Sequence, residues 1–247
     1  MPQSLTSRTP NGLTNAAPWQ TLADAGFLDP SFAHVDFDDF NVYTAGDWTI
    51  TKVGTGTVAA AAGDGGNILL TTTAGIADAI YMQRPVEGFK LKAGKDTFIK
   101  FAGTLADITL PNFMFGLVNT NTAPFTSTDG VSIRKLAGSG ALQLAVGVGG
   151  VNTFVNFPAN CVLVAGVPFE LGVHVDSQGN VYGYFNPTTG SNPISAAAAA
   201  STQSRGPVAK ITTTLPTAVL NPTFALLNST AAAKTLTVDY LLAATHR

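Results

Sequence analysis

The residues able to do acid–base, nucleophilic or metal chemistry are few in this sequence and stand far apart. Glutamate occurs only at Glu87 and Glu170. Glycoside hydrolysis needs two carboxylates about 5–10 Å apart across a cleft, and no Glu-x-Asp-x-Glu run supplies them. Asp36-Phe37-Asp38-Asp39-Phe40 comes nearest. Asp36 and Asp38 fall on one face of a strand, a spacing that a calcium ion or an acid/base pair could use. The plainer reading makes them the solvent-facing partners of Val35, Phe37 and Phe40 on an amphipathic first strand.

His34, His174 and His246 fit no metal-site spacing, and Cys161 is the single cysteine. With no second cysteine there is neither an intrachain disulfide nor a thiolate pair for zinc. Cys161 lies in the apolar run Asn160-Cys161-Val162-Leu163-Val164 and is read as a small core residue. No Gly-x-Ser-x-Gly elbow occurs. Gly147, Gly149 and Gly150 lie between two strand patterns instead of before a helix, which argues against a phosphate loop. The expectation is a protein without catalytic residues, cofactor or metal.

Composition agrees. Charged residues make up 11% of the 247, against about 25% in an average soluble protein. A low charge accompanied by 45% hydrophobic residues is not the signature of disorder. Gly, Thr, Asn or a charge interrupts every apolar run before the length of about 20 residues that a membrane helix needs. The net charge of −2 offers no electrostatic footprint for nucleic acid. Lys90, Lys92, Lys95 and Lys100 form the one basic cluster and are read as a solvated strand edge. Met1-Pro2-Gln3-Ser4 has no secretory pattern, so synthesis in a cytoplasm is expected.

The elements are strands. Asp47–Val53 alternates apolar and polar residues with period two, the mark of a half-buried strand. Similar signals, separated by Gly, Asn and Asp turns, fall at 55–59, 67–73, 78–84, 96–105, 112–119, 129–136, 141–148, 151–157, 169–176, 181–186, 223–228 and 235–245. About a dozen such strands imply a two-sheet antiparallel β-sandwich over residues 32–247. Residues 186–207 read as a loop. Residues 1–31 read as an extended N-terminal arm, polar at first and then anchored by Trp19, Leu22, Phe27 and Leu28, with Phe32 at its junction. Such an arm either binds a partner surface or wraps its own sandwich.

Several segments in order resemble the concanavalin-like jelly roll of the laminin-G and pentraxin type. They are Asp47-Trp48-Thr49, Gly65–Leu70, Asp78–Gln83, Phe115-Gly116-Leu117, Asp129–Ile133, the hairpin Phe169–Asp176 with Val181–Asn186, and Leu236–Leu241. Thr/Gly/Ala-rich strands, one unpaired cysteine and the Pro/Asn/Thr-rich arm are also similar to virion proteins of tailed bacteriophages. That resemblance implies a capsid decoration or cement protein on the major capsid protein lattice, located in the virion and homo-oligomeric, with a trimer among the options. The alternative is a carbohydrate-binding, lectin-like module or tail-fibre adhesin. Tyr81, Phe125, Tyr182 and Tyr184 would then stack on sugar rings, against the plainer reading of these four as packing residues.

Overall fold

The computed structural model describes residues 33–63, 65–86, 88–187 and 207–247. In chain order its strands begin β1 (Ala33–Asp38), β2 (Thr49–Val53), β3 (Thr57–Ala61), β4 (Asn67–Thr71), β5 (Ala79–Gln83), β6 (Phe89–Lys90), β7 (Thr97–Leu105) and β8 (Pro111–Val118). They continue β9 (Gly130–Lys135), β10 (Leu142–Val148), β11 (Val151–Asn156), β12 (Pro168–Val175), β13 (Asn180–Pro187), β14 (Ala209–Thr212), β15 (Val219–Asn228) and β16 (Thr235–His246). The first sheet runs β14-β13-β12-β7-β16-β4-β3, and β1 also pairs with β16. The second runs β11-β10-β9-β8-β15-β5-β2, and β6 also pairs with β15. This is the expected all-β, two-sheet antiparallel sandwich.

Alternation along each strand decides which side chains fill the space between the sheets. Phe169, Leu171, Val173 and Val175 of β12 point inward, as do Ile99, Phe101 and Leu105 of β7. Phe113, Phe115 and Leu117 of β8 meet them from the other sheet. The Phe101 ring lies 5.4 Å from Phe113 and 5.2 Å from Phe115, joining the layers at their centre. Burial of each such side chain contributes about 1.5–3 kcal/mol, far more than an exposed ion pair at about 0–1 kcal/mol. The fold therefore rests on this layer.

Two details depart from the sequence pattern, and one agrees with it. β6, with two residues, is too short to show a period of two, and the four residues of β14 alternate. β15 starts at Val219 and carries Pro222 inside a central strand, where a residue lacking an N–H should interrupt the ladder. The β5 pairing ends at Thr223 and the β6 pairing starts at Leu220, so Pro222 occupies the gap between them. Its carbonyl still accepts from the Arg84 N–H at 3.0 Å. Between β10 and β11, Gly149 and Gly150 both take positive φ, as a two-residue hairpin turn requires.

Lys135, on β9, turns inward and is fully buried. Its ammonium donates to the Pro111 carbonyl. Burial holds its pKa down at about 8, only partly opposed by the Asp107 carboxylate. Between about 8 and the ordinary 10.5 the unfolded chain keeps a proton that the folded chain has released, so stability rises with pH across that window. Lys135→Met should add roughly 1–3 kcal/mol at neutral pH, as apolar replacement of a buried charge can do. Urea melts across the window should also show the rise diminished; a slope equal to the wild type would refute this account.

Candidate functional site

The outer face of the first sheet, opposite the core, is built as rows of side chains crossing the strands. One row reads Tyr182 on β13, His174 on β12, Phe98 on β7 and Ala244 on β16. The His174 ring stacks on Phe98 at 4.2 Å, lies 5.9 Å from Tyr182, and its Nε2 is 2.9 Å from Asp96 Oδ1. The next row reads Tyr184, Gly172, Lys100 and Leu242. The Lys100 ammonium lies 5.3 Å from the centre of the Tyr240 ring.

The third row reads Asn186, Glu170, Ala102 and Tyr240. Because Ala102 is small, Glu170 and Tyr240 meet above it, and the tyrosine hydroxyl donates to Glu170 Oε1 at 2.7 Å. Asn186 Nδ2 donates to Oε2 at 3.0 Å, and Lys100 Nζ lies 3.3 Å from the same oxygen. Lys100 is therefore buried and internally paired, which corrects the reading of it as part of a solvated edge. β7 is a central strand, so its lysine needed a counter-ion. Lys90 and Lys92 are exposed, in keeping with that reading.

Past this row the floor drops. Pro168, Thr104 and Thr237 form the last row, and Asn67 stands beside it on β4. The register between β16 and β7 shifts between Val238 and Tyr240, so Asp239 is an extra, bulged residue opposite the step from Ala102 to Gly103. The result is an open cleft of about 290 Å³, floored by residues 102–104 and flanked by Glu170 and Asp239. That volume is at the lower end of ligand pockets. The outer face of the second sheet is covered differently. Phe125, on the 3₁₀ turn Pro124–Thr126, packs over the apolar group of Tyr81, Met114, Val118 and Ala225. The cavity beside it holds about 30 Å³, room for ordered water and little more.

The residues singled out in the sequence are distributed otherwise than expected. Trp19, Leu22, Phe27, Leu28 and Phe32, and with them the arm, lie outside the described residues; so do Glu87 and most of the loop 186–207. Asp36 and Asp38 do share a face, but it turns toward the second sheet, while Val35 and Phe37 are the exposed pair. The reason is Arg84: its Nε and Nη2 each lie 2.8 Å from an Asp36 oxygen, and Nη2 reaches Asp38 Oδ2 at 3.3 Å. The guanidinium also lies 4.2 Å from the Trp48 ring, whose Nε1 donates to Asp38. A cation already fills the place where a calcium ion or a reacting proton would have to be. Phe40 is buried against Trp48 and Phe224 instead of lining that strand.

Tyr81 and Phe125 lie on one sheet and Tyr182 and Tyr184 on the other, so they form no common platform. Tyr81 and Tyr184 are buried, as packing residues are, and burial raises both their pKa values. Cys161 is buried with its thiol pKa also pushed up by burial, which fits a core residue and not a nucleophile. Among the described residues, no group of three or more His, Cys, Asp or Glu could hold a metal ion. No helix there is long and apolar enough to cross a membrane.

No family model matches the chain, and no curated protein matches it in sequence. Solved structures do resemble it. Peanut lectin aligns at a TM-score of 0.56 and 11% identity, over 86% of this chain and 97% of that one. The chain has the concanavalin-like, lectin-type fold. The carbohydrate recognition domain of Emp47p aligns at a TM-score of 0.55 and 11% identity, over 87% of this chain and 97% of its own. An endo-β-1,4-glucuronan lyase from Trichoderma reesei aligns at 0.55 and 13%, over 84% and 94%. Identities this low establish the fold and leave function to the site.

Asp239 and the Lys100–Glu170–Tyr240 group were missed by sequence reasoning. A signal for the first was present: Leu236 and Val238 keep a period of two, and the next inward residues are Leu241 and Ala243. That three-residue step marks the bulge. Lys100→Met should cost about 2–4 kcal/mol by leaving the Glu170 carboxylate without its cation. Adding Glu170→Gln should recover most of that loss in a double-mutant cycle; additive losses would show that the pair is not coupled.

Proposed function

We propose that this chain is a carbohydrate-binding module that takes a sugar unit into the cleft between Glu170 and Asp239. The observation that carries this reading is the cleft itself, an open depression on an otherwise tightly packed sheet face. Its rim combines two carboxylates with Asn67, Thr104 and Thr237. Carboxylates accept from adjacent hydroxyls, and amide and hydroxyl side chains both donate and accept, which suits a ring carrying hydroxyls on neighbouring carbons. The lectin-type fold of Emp47p's carbohydrate recognition domain lends support. Thr104→Trp should fill the depression and weaken binding by at least about tenfold, a loss of about 1.4 kcal/mol. Glycan-array hits followed by calorimetry check this, with circular dichroism confirming the fold. A variant that binds as well as the wild type would place the site elsewhere.

A second reading is favoured by β1. It follows the arm directly and leaves Val35 40% and Phe37 52% exposed on the outer face. An apolar pair continuing an apolar-anchored arm suits a structural virion protein that attaches to a capsid lattice, as an oligomer, through its N-terminal side. Display of a glycan site on a tail-fibre adhesin would combine the two readings. Deletion of residues 1–31 should abolish capture on phage particles while the sandwich still melts cooperatively; full capture by the truncated chain would remove this reading.

A further inference from the structure

We infer, on the basis of the carbohydrate-binding reading, that the protein makes a second sugar contact on the opposite face of the sandwich. There a notch between Phe125 and Phe154 takes the exocyclic hydroxymethyl group of a hexose. The observation that points to it is Ser132. This serine is only 8% exposed, it lines the notch, and its hydroxyl makes no hydrogen bond among the described residues. A buried hydroxyl without a partner costs stability, and such groups are few in native folds.

The strand register shows how the space arises. On the outer face of the second sheet one row reads Gly116 on β8, Ser132 on β9, Ala145 on β10 and Phe154 on β11. Three small residues thus form a floor, and Phe154 stands at its end as a half-exposed wall. The turn Pro124–Thr126 brings Phe125 in from the other side. A side chain at Gly116 would start 2.8 Å from Ser132 Cβ, so glycine keeps the floor clear. Neighbouring polar groups are already engaged. Ser127 donates to Asn119 Oδ1 at 2.6 Å, and Asp129 accepts from the Gly149 N–H at 3.1 Å. Arg134 donates to Gln143 at 3.0 Å and lies 3.7 Å from the centre of the Phe154 ring. Asn152, at the mouth, is exposed to water. The notch holds about 30 Å³, where one water needs roughly 10–15 Å³. A group of two non-hydrogen atoms fits and a sugar ring does not. A hydroxymethyl group has that size: its carbon meets the phenyl walls, and its hydroxyl pairs with that of Ser132.

The test is an NMR titration of the full chain with methyl β-glucoside and two analogues. One is the deoxy sugar that keeps the exocyclic carbon and lacks its hydroxyl; the other, methyl β-xyloside, lacks both. The Thr104→Trp variant, with its cleft filled, is titrated alongside. In both proteins the glucoside is expected to shift the amide signals of Ser132, Ala145 and Phe154. At this notch it should bind about three- to tenfold tighter than either analogue, the worth of one hydrogen bond. Ser132→Ala should erase that preference and leave the melting temperature unchanged or raised, since it removes a hydroxyl without a protein partner. A preference that survives Ser132→Ala, or a lowered melting temperature, would overturn the role given to this hydroxyl. Shifts confined to residues 102–104 would remove the second contact and leave the cleft reading in place. Shifts on neither face would remove both. N-acetylserine methylamide carries the same hydroxymethyl group on a peptide unit; tighter binding of it than of the glucoside would rule out sugar as the ligand.

Discussion

Both halves of β16 have to turn apolar side chains toward one core, and this constraint shapes the rest of the first sheet. Leu236 and Val238 face inward in the first half, Leu241 and Ala243 in the second. Strict alternation from Val238 would bring Tyr240 inward and turn Leu241 out to solvent, reversing the face of everything after it. An extra residue restores the phase, and Asp239 is that residue. The strand also holds the sheet together: β7 pairs along it on one side, while β4 and β1 pair end to end on the other. The device that keeps the core continuous thus delivers an acidic side chain to the outer face. Core phase and cleft chemistry have one cause.

A chain with so little charge uses a good part of it internally. Lys100 faces Glu170 across the sheet surface, Lys234 reaches Asp107 at 2.5 Å, and Arg84 takes up both Asp36 and Asp38. Each pair removes a group that, taken alone from the sequence, could pass for a functional residue. These pairs are weak evidence for stability, because desolvation offsets much of their attraction. Their effect is on geometry. Arg84 fixes β1 of the first sheet against the segment after β5 of the second. Lys100 and Tyr240 fix the carboxylate of Glu170 at the edge of the cleft, so that its position is set by packing.

The strands were legible because period-two alternation and Gly-rich turns are local signals. Phe169–Val175 and the Gly149-Gly150 hairpin could be read directly. β6 was not legible because two residues carry no period, and Pro222 concealed the start of β15 because its tolerance depends on a gap between two other strands. The site was legible only in part. Glu170 was noticed as one of two glutamates, but its partners come from β7, β13 and β16, and no local pattern joins positions 100, 170, 186 and 240. The orientation of Asp36 and Asp38 failed for the same reason. Alternation fixes which residues share a face, but Arg84, distant in sequence, decided which way that face turned.

The two outer faces show why function has to be argued from the site and not from the fold. Both sheets are antiparallel, both alternate, and both carry aromatic residues outside the core. On the second sheet the turn at Pro124–Thr126 lays Phe125 over Tyr81, and the face closes with a cavity of about 30 Å³. On the first sheet the side chains of β7 shrink from Phe98 and Lys100 to Ala102 and Thr104, and the face opens to about 290 Å³. Nothing in the sandwich architecture requires that gradient of size; a Leu at position 102 would satisfy the strand equally well. It would also separate Glu170 from Tyr240 and raise the floor. The choice of alanine there, beside a bulge that supplies Asp239, is what distinguishes an open face from a merely packed one.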